Sequence, residues 1–139
     1  MAVKKPPWMD CLVKTKTLFL IFLILSATSS YAENWSMDTC KSVSAEVNLS
    51  LPMNVDAVTE LKNTFCLPHQ DGPNFNYNYI VAESIQSIAK SQKKVVKNSW
   101  CSTPDLLDML NSLSGVSFTY YTVNGDFVGK FGFSKKDCN

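Results

Sequence analysis

The feature that most restricts this chain lies near its C-terminus, where two aromatic runs, residues 116–122 and 127–133, meet across Asn124-Gly125. Asn and Gly both tolerate positive φ, so the pair fits a two-residue type I′ hairpin turn and sets a register. That register puts Thr122 opposite Phe127, Tyr120 opposite Gly129, Phe118 opposite Phe131 and Val116 opposite Phe133. Successive side chains alternate between faces, so nearly all the large rings share one face with Val116. Ser117, Thr119, Asp126 and Lys130 fall on the other, along with Tyr121 and Val128. The rings therefore read as core, with Gly129 beneath Tyr120. Tyr121 beside Val128 is a small apolar pair on the polar face, either cross-strand support or a partner surface.

A hairpin with one apolar face needs cover. From about Glu83 the apolar period becomes helical: Ile85, Ile88, Ala89, Val95 and Val96 fall on one side, and Gln86, Lys90, Lys93, Lys94 and Lys97 largely on the other. Residues 98–102 interrupt this pattern. Thr103-Pro104-Asp105 then supplies an N-cap, a proline at the first helical position and a first-turn acid, and Gly115 stops a second helix carrying Leu106, Leu107, Met109, Leu110 and Leu113. Upstream, Val43, Ala45, Val47, Leu49 and Leu51 alternate with Ser44, Glu46, Asn48 and Ser50, a strand pattern ended by Pro52. Leu61, Asn63 and Phe65 suggest a second strand, and Phe75, Tyr77, Tyr79 and Val81 a third. Between them "LPHQDGPN", with two prolines and a glycine, predicts a loop over 67–74. The expected fold is α+β: an antiparallel sheet of about four to five strands with two helices on one face.

The start of the chain sets the compartment. Lys4, Lys5, Lys14 and Lys16 precede an apolar run over 18–25, followed by small and polar residues at 26–30, the order of a secretory signal. The run is far shorter than the roughly 20 residues that span a bilayer, so a stable membrane span is the weaker reading. Ser30 and Ala32 predict cleavage before Glu33, which makes 1–32 a cleavable signal peptide and 33–139 one small domain; retention as an anchor is the alternative. Cys11 precedes the apolar run and would leave with the signal.

Four cysteines remain, Cys40, Cys66, Cys101 and Cys138, and an even count in a small exported domain argues for disulfides. None is spaced Cys-x-x-Cys, against a redox motif or zinc ribbon. Four cysteines allow three pairings. The preferred one joins Cys101 to Cys138 and Cys40 to Cys66, because the first bond would fasten the terminal hairpin to the segment entering its preceding helix.

Of the 13 basic and 12 acidic residues, four Lys and one Asp precede residue 33, leaving 9 and 11 and a net charge of about −2 in the predicted mature chain. The chain has no Arg, the bidentate reader that nucleic-acid sites favour, so nucleic-acid binding is not expected. No cofactor is expected, and one His with scattered acids makes no metal ligand set. The phrases "LPMNVDAVTEL", "NYNYIV" and "GVSFTYYTVNGDFVGKFGFSKKDC" resemble small exported bacterial proteins of uncharacterised role with a C-terminal aromatic hairpin ending in Asp-Cys. The resemblance implies a periplasmic α+β domain with a bond to its last cysteine, and brings no catalytic residue.

Two function classes follow. His69, two residues before Asp71, would serve as general base in a small secreted hydrolase. No Gly-x-Ser-x-Gly or His-Glu-x-x-His motif accompanies it. The favoured reading is a non-enzymatic periplasmic or secreted protein that binds another envelope or secreted protein: an inhibitor, an immunity-type protein or an assembly factor. Its candidate surfaces are Tyr121 with Val128, and the helical cluster Lys90, Lys93, Lys94 and Lys97, suited to an acidic partner or anionic headgroups.

Overall fold

A computed structural model describes residues 33–139; the expected signal peptide and Cys11 lie outside the described residues. The elements run α1 (Met37–Asn48), β1 (Met53–Asn54), β2 (Thr59–His69), β3 (Gly72–Val81), α2 (Lys90–Ser102), α3 (Pro104–Asn111), β4 (Gly115–Thr122), β5 (Phe127–Phe133) and a closing 3-10 turn (Lys135–Cys138). The strands form one sheet in sequence order, β1-β2-β3-β4-β5. Every neighbouring pair is antiparallel except β3 with β4, which is parallel. A parallel pair cannot be joined by a tight turn. The segment containing α2 and α3 makes the crossover, and the fold is the expected α+β architecture.

The core is an aromatic array laid across three strands. Tyr77 pairs with Phe118 and Phe118 with Phe131, so their side chains share a face. Tyr77 stacks on Phe118 at 5.2 Å between centroids, Phe118 on Phe131 at 5.1 Å, and Tyr79 on Tyr120 at 4.9 Å. Trp100 closes the array from above, meeting Tyr77, Phe118 and Phe133 edge-on at 6.1 Å each. Each such pair contributes about 0.5–1.5 kcal/mol beyond its buried area. Val96 and Trp100, four residues apart, are the buried positions of α2 and hold it to this face. Burial raises the phenol pKa of Tyr77 well above its ordinary value. Tyr79 moves the same way through burial and then its neighbours Tyr120 and Tyr77, and Tyr120 through burial and then the charge of Asp56.

The first helix corrects the predicted strand over 43–51. Ser36 caps α1 by accepting from the Thr39 N–H at 3.0 Å. Cys40 and Ser44 are its buried residues, with Val43 packed beside them, at helical spacing. The alternation counts Ser44 as an outward polar residue. It is instead buried, its Oγ 2.9 Å from Thr64 Oγ1 on β2. Asn48 closes the clasp: its Oδ1 accepts from the Thr64 N–H at 2.8 Å and its Nδ2 donates to the Thr64 carbonyl at 2.9 Å.

Three boundaries also differ. The predicted helix from Glu83 begins only at Lys90, with no side-chain cap at Ala89, and continues through the expected interruption to Ser102. Ile85 and Ile88 still pack on the core, from the preceding loop. The predicted 67–74 loop is mostly strand: β2 and β3 run to His69 and from Gly72, leaving Gln70-Asp71 as the turn. Pro68 faces Pro73 there, and Gly72 takes φ +116°. Two prolines without N–H groups suit a pair that exchanges no ladder bonds.

The terminal hairpin keeps its expected register at Val116–Phe133, Phe118–Phe131 and Tyr120–Gly129, yet its turn is longer. Thr122 N–H donates to the Asp126 carbonyl and Gly125 N–H to the Thr122 carbonyl, with Gly125 at φ +90°. This is a three-residue loop, in which Gly125 supplies the positive φ after a turn centred on Val123-Asn124. Tyr121 therefore faces Phe127, where Thr122 was expected, and Val128 is an extra residue that restores the register at Gly129. Disulfides join Cys40 to Cys66 and Cys101 to Cys138, tying α1 to β2 and the last turn to α2.

Candidate interaction surface

The four lysines of the candidate cluster all lie on α2. At about 100° per residue they fall in one stripe beside the buried Val96–Trp100 line. Lys90 and Lys94 are exposed and Lys93 and Lys97 half-buried. The Lys93 Nζ sits 6.0 Å from the Phe131 ring centroid, a cation–π contact that lays its stem over β5. Close contacts fix the direction of the helix. Ile88, just before α2, lies against Gly129, Lys93 over Phe131 and Trp100 against Phe133. The helix thus runs along β5 in the same direction, and the lysine stripe follows it.

The second candidate pair is rearranged. Tyr121 and Val128 do not face each other; Val128, displaced by the bulge, packs against the core. Tyr121 instead meets Phe127 edge-to-face at 5.9 Å, and Phe127 is 63% exposed. These two continue a row across the face opposite the aromatic array, in which Glu60 faces Ile80 and Ile80 faces Tyr121. The next row is polar, Asn63-Asn78-Thr119-Lys130, with Asn78 Nδ2 donating to Asn63 Oδ1 at 3.0 Å. A further polar bond, Ser117 Oγ to Asn74 Oδ1 at 3.0 Å, joins β4 to β3 on the same face. Phe127 was missed because a two-residue turn would have aimed it at the core. The signal lay in Gly125, which suits equally the left-handed position that closes a three-residue loop.

His69 is exposed at the end of β2, and its Nδ1 accepts from the Asp71 N–H at 3.4 Å. It lines a shallow cleft of about 690 Å³ with Asp71, Ser114 and Lys135. Ser114 Oγ is buried and has no hydrogen-bond partner among the described residues. The cleft thus brings a hydroxyl, an imidazole and a carboxylate to one place without the hydroxyl–imidazole bond that nucleophilic catalysis uses. Among the described residues no group of three or more His, Cys, Asp or Glu is placed to hold a metal ion, and no helix is long and apolar enough to cross a membrane.

No protein-family model matches the chain, and no curated protein matches it. Its fold has solved counterparts. One is a protein of Pseudomonas aeruginosa described as secreted, 13% identical, with a TM-score of 0.59 over 81% of this chain and 100% of that one. The type 2 secretion system pilotin of Vibrio vulnificus is 9% identical, with a TM-score of 0.55 over 74% of this chain and 91% of its own. The type II secretion system pilotin of Vibrio cholerae is 10% identical, with a TM-score of 0.53 over 73% and 91%. At these identities the likeness is one of fold.

Proposed function

We propose that this protein is exported by its first 32 residues and acts, in the periplasm or after secretion, as a non-enzymatic accessory protein that binds another protein of the cell envelope. Its role would be of the kind that a pilotin has in a type II secretion system. The observation that carries this reading is the shared fold: the solved counterparts are a protein described as secreted and two pilotins, each matched over 73% or more of this chain. The ordered basic, apolar and small segments before Glu33 support export. The half-exposed Tyr121–Phe127 pair and the lysine stripe give a binder surface to use.

The hydrolase reading rests on His69, Asp71 and Ser114 sharing a cleft. It is weakened because, among the described residues, the Ser114 hydroxyl has no hydrogen-bond partner and the His69 ring meets the Asp71 backbone N–H rather than a carboxylate. Chain starting at Glu33, purified from the periplasm with a C-terminal affinity tag, tests the choice. A binder co-purifies with an envelope component under mild detergent, and His69→Ala leaves that capture intact. Turnover of model esters or peptides that disappears in both His69→Ala and Ser114→Ala would reverse the assignment.

A further inference from the structure

β5 is the last strand of the sheet, and beyond β4 its backbone has no partner among the described residues. Past the bulge at Val128, residues 129–133 are regular, and alternate residues of such a strand direct their N–H and C=O groups away from the sheet. The charge around this edge is one-sided. After residue 32 the chain holds nine lysines, and seven of them lie on α2 (Lys90, Lys93, Lys94, Lys97), on β5 (Lys130) and on the closing turn (Lys135, Lys136). Those three elements contain one acid, Asp137, an exposed residue that caps the closing turn by accepting from the Ser134 N–H at 2.8 Å. The remaining ten acids lie outside these elements, Asp126 just before β5 at the hairpin end among them, although the domain as a whole is slightly acidic. The free edge is therefore a line of unused hydrogen-bonding groups beside a line of cations, and α2 runs parallel to it.

We propose that this edge is a docking site for an extended acidic segment of a partner protein, which adds to β5 as a sixth strand while the carboxylates on one of its faces meet the lysines of α2; Lys130 lies on the other face of the sheet. The proposal rests on the partner-binding reading above and names the chemistry of the partner. Strand addition takes its affinity from backbone bonds and its specificity from flanking side chains. A second copy of this chain is disfavoured by charge, because pairing two β5 edges would bring Lys130 to Lys130 and one α2 stripe to the other; an edge lysine is a common guard against self-pairing. An anionic membrane would use the lysines and leave the backbone row unpaired. An acidic strand satisfies both.

The test uses the domain from Glu33 with its disulfides intact and synthetic peptides of about nine residues, a usual strand length. One alternates Glu with Thr, and two others carry Ser or Lys in place of Glu. Two more repeat the Glu peptide with N-methyl groups on odd or on even residues. The Glu peptide is expected to bind at least about ten-fold tighter than the Ser peptide at low salt, the Lys peptide weakest, and one of the two methylation phases to abolish binding. Amide exchange should slow at residues 129–133. The triple variant Lys90→Ser, Lys94→Ser, Lys97→Ser, shown to melt as the parent does, should lose most of the preference for Glu over Ser. Binding of the Glu peptide that survives both methylation phases would mean adsorption to the lysines alone and overturns the proposal. So does the absence of any preference for Glu, or lysine-dependent binding to phosphatidylglycerol vesicles with no peptide binding. If the triple variant still captures the envelope component that the parent captures, this docking edge is wrong while the accessory-protein reading stands.

Discussion

The rings of Tyr77 and Phe118 lie 5.2 Å apart and within 7° of parallel, on the two strands that run parallel to each other at the middle of the sheet. Both are nearly fully buried, and Trp100 of α2 meets each of them edge-on. This contact joins the half of the domain before the helical crossover to the half after it. Stability should therefore concentrate here.

Phe118→Ala should cost on the order of 3–5 kcal/mol, because it removes a buried ring that stacks on both neighbouring strands. Phe131 lies on the edge strand and is only half-buried, so its truncation should cost less than that of Phe118. Tyr121→Ala should cost below about 1 kcal/mol, the usual worth of one cross-strand pair. Denaturant unfolding of the three variants with disulfides intact checks the order.

Thr64 is the hub of the contact between α1 and β2, bonded through its hydroxyl to Ser44 and through its backbone to Asn48. Thr64→Val keeps the shape but leaves the buried Ser44 hydroxyl without this partner, at a cost of about 1–3 kcal/mol. Adding Ser44→Ala should recover part of that loss. A double-mutant cycle measured by thermal unfolding gives the coupling.

The two disulfides join cysteines 26 and 37 residues apart, so each should contribute roughly 3–4 kcal/mol in the chain-entropy model. Their local effects should differ. Replacing Cys40 and Cys66 with Ala should speed amide exchange in α1, whereas replacing Cys101 and Cys138 should free the closing turn from α2. Native-state hydrogen exchange separates the two outcomes.

Tyr77, Tyr79 and Tyr120 have phenol pKa values raised in the folded state, chiefly by burial. An unfolded tyrosine releases its proton near pH 10 while these three still hold theirs. The unfolded state then binds fewer protons, so stability is full below about pH 10 and falls as pH rises above it. Alkaline titration followed by tyrosinate absorbance and circular dichroism should show these rings ionising together with loss of fold.

Much of this architecture is legible in the sequence, because the rings of the C-terminal hairpin sit at period two and leave one face to be covered. The pairings of Phe118 with Phe131 and Val116 with Phe133 survive even though the turn holds three residues, since the bulge at Val128 returns the displaced residue. The same compensation hid Phe127, which turns outward only because of it. The strand predicted over 43–51 failed because serine is ambiguous: Ser44 hydrogen-bonds to Thr64 across 20 residues, and no local pattern reveals a buried polar partner so distant. Cys40, Val43, Ser44 and Val47 do fall at helical spacing behind the Ser36 cap, a signal that the alternation masked. Trp100 escapes the expected core because the apolar helical pattern breaks off before it, while the helix itself runs on to Ser102. The cationic edge needed the fold, since the lysines of α2 come to the edge strand only once α2 lies along β5.

The measurement that bears most directly on the account is recovery of the tagged, full-length protein from its producing cell, with N-terminal sequencing and identification of what co-purifies from the envelope. The recovered chain should start at Glu33 and bring down a component of an envelope secretion assembly, with the yield of that component reduced by the Lys90→Ser, Lys94→Ser, Lys97→Ser variant. A cytoplasmic chain that still begins at Met1 and enriches no envelope protein would contradict it.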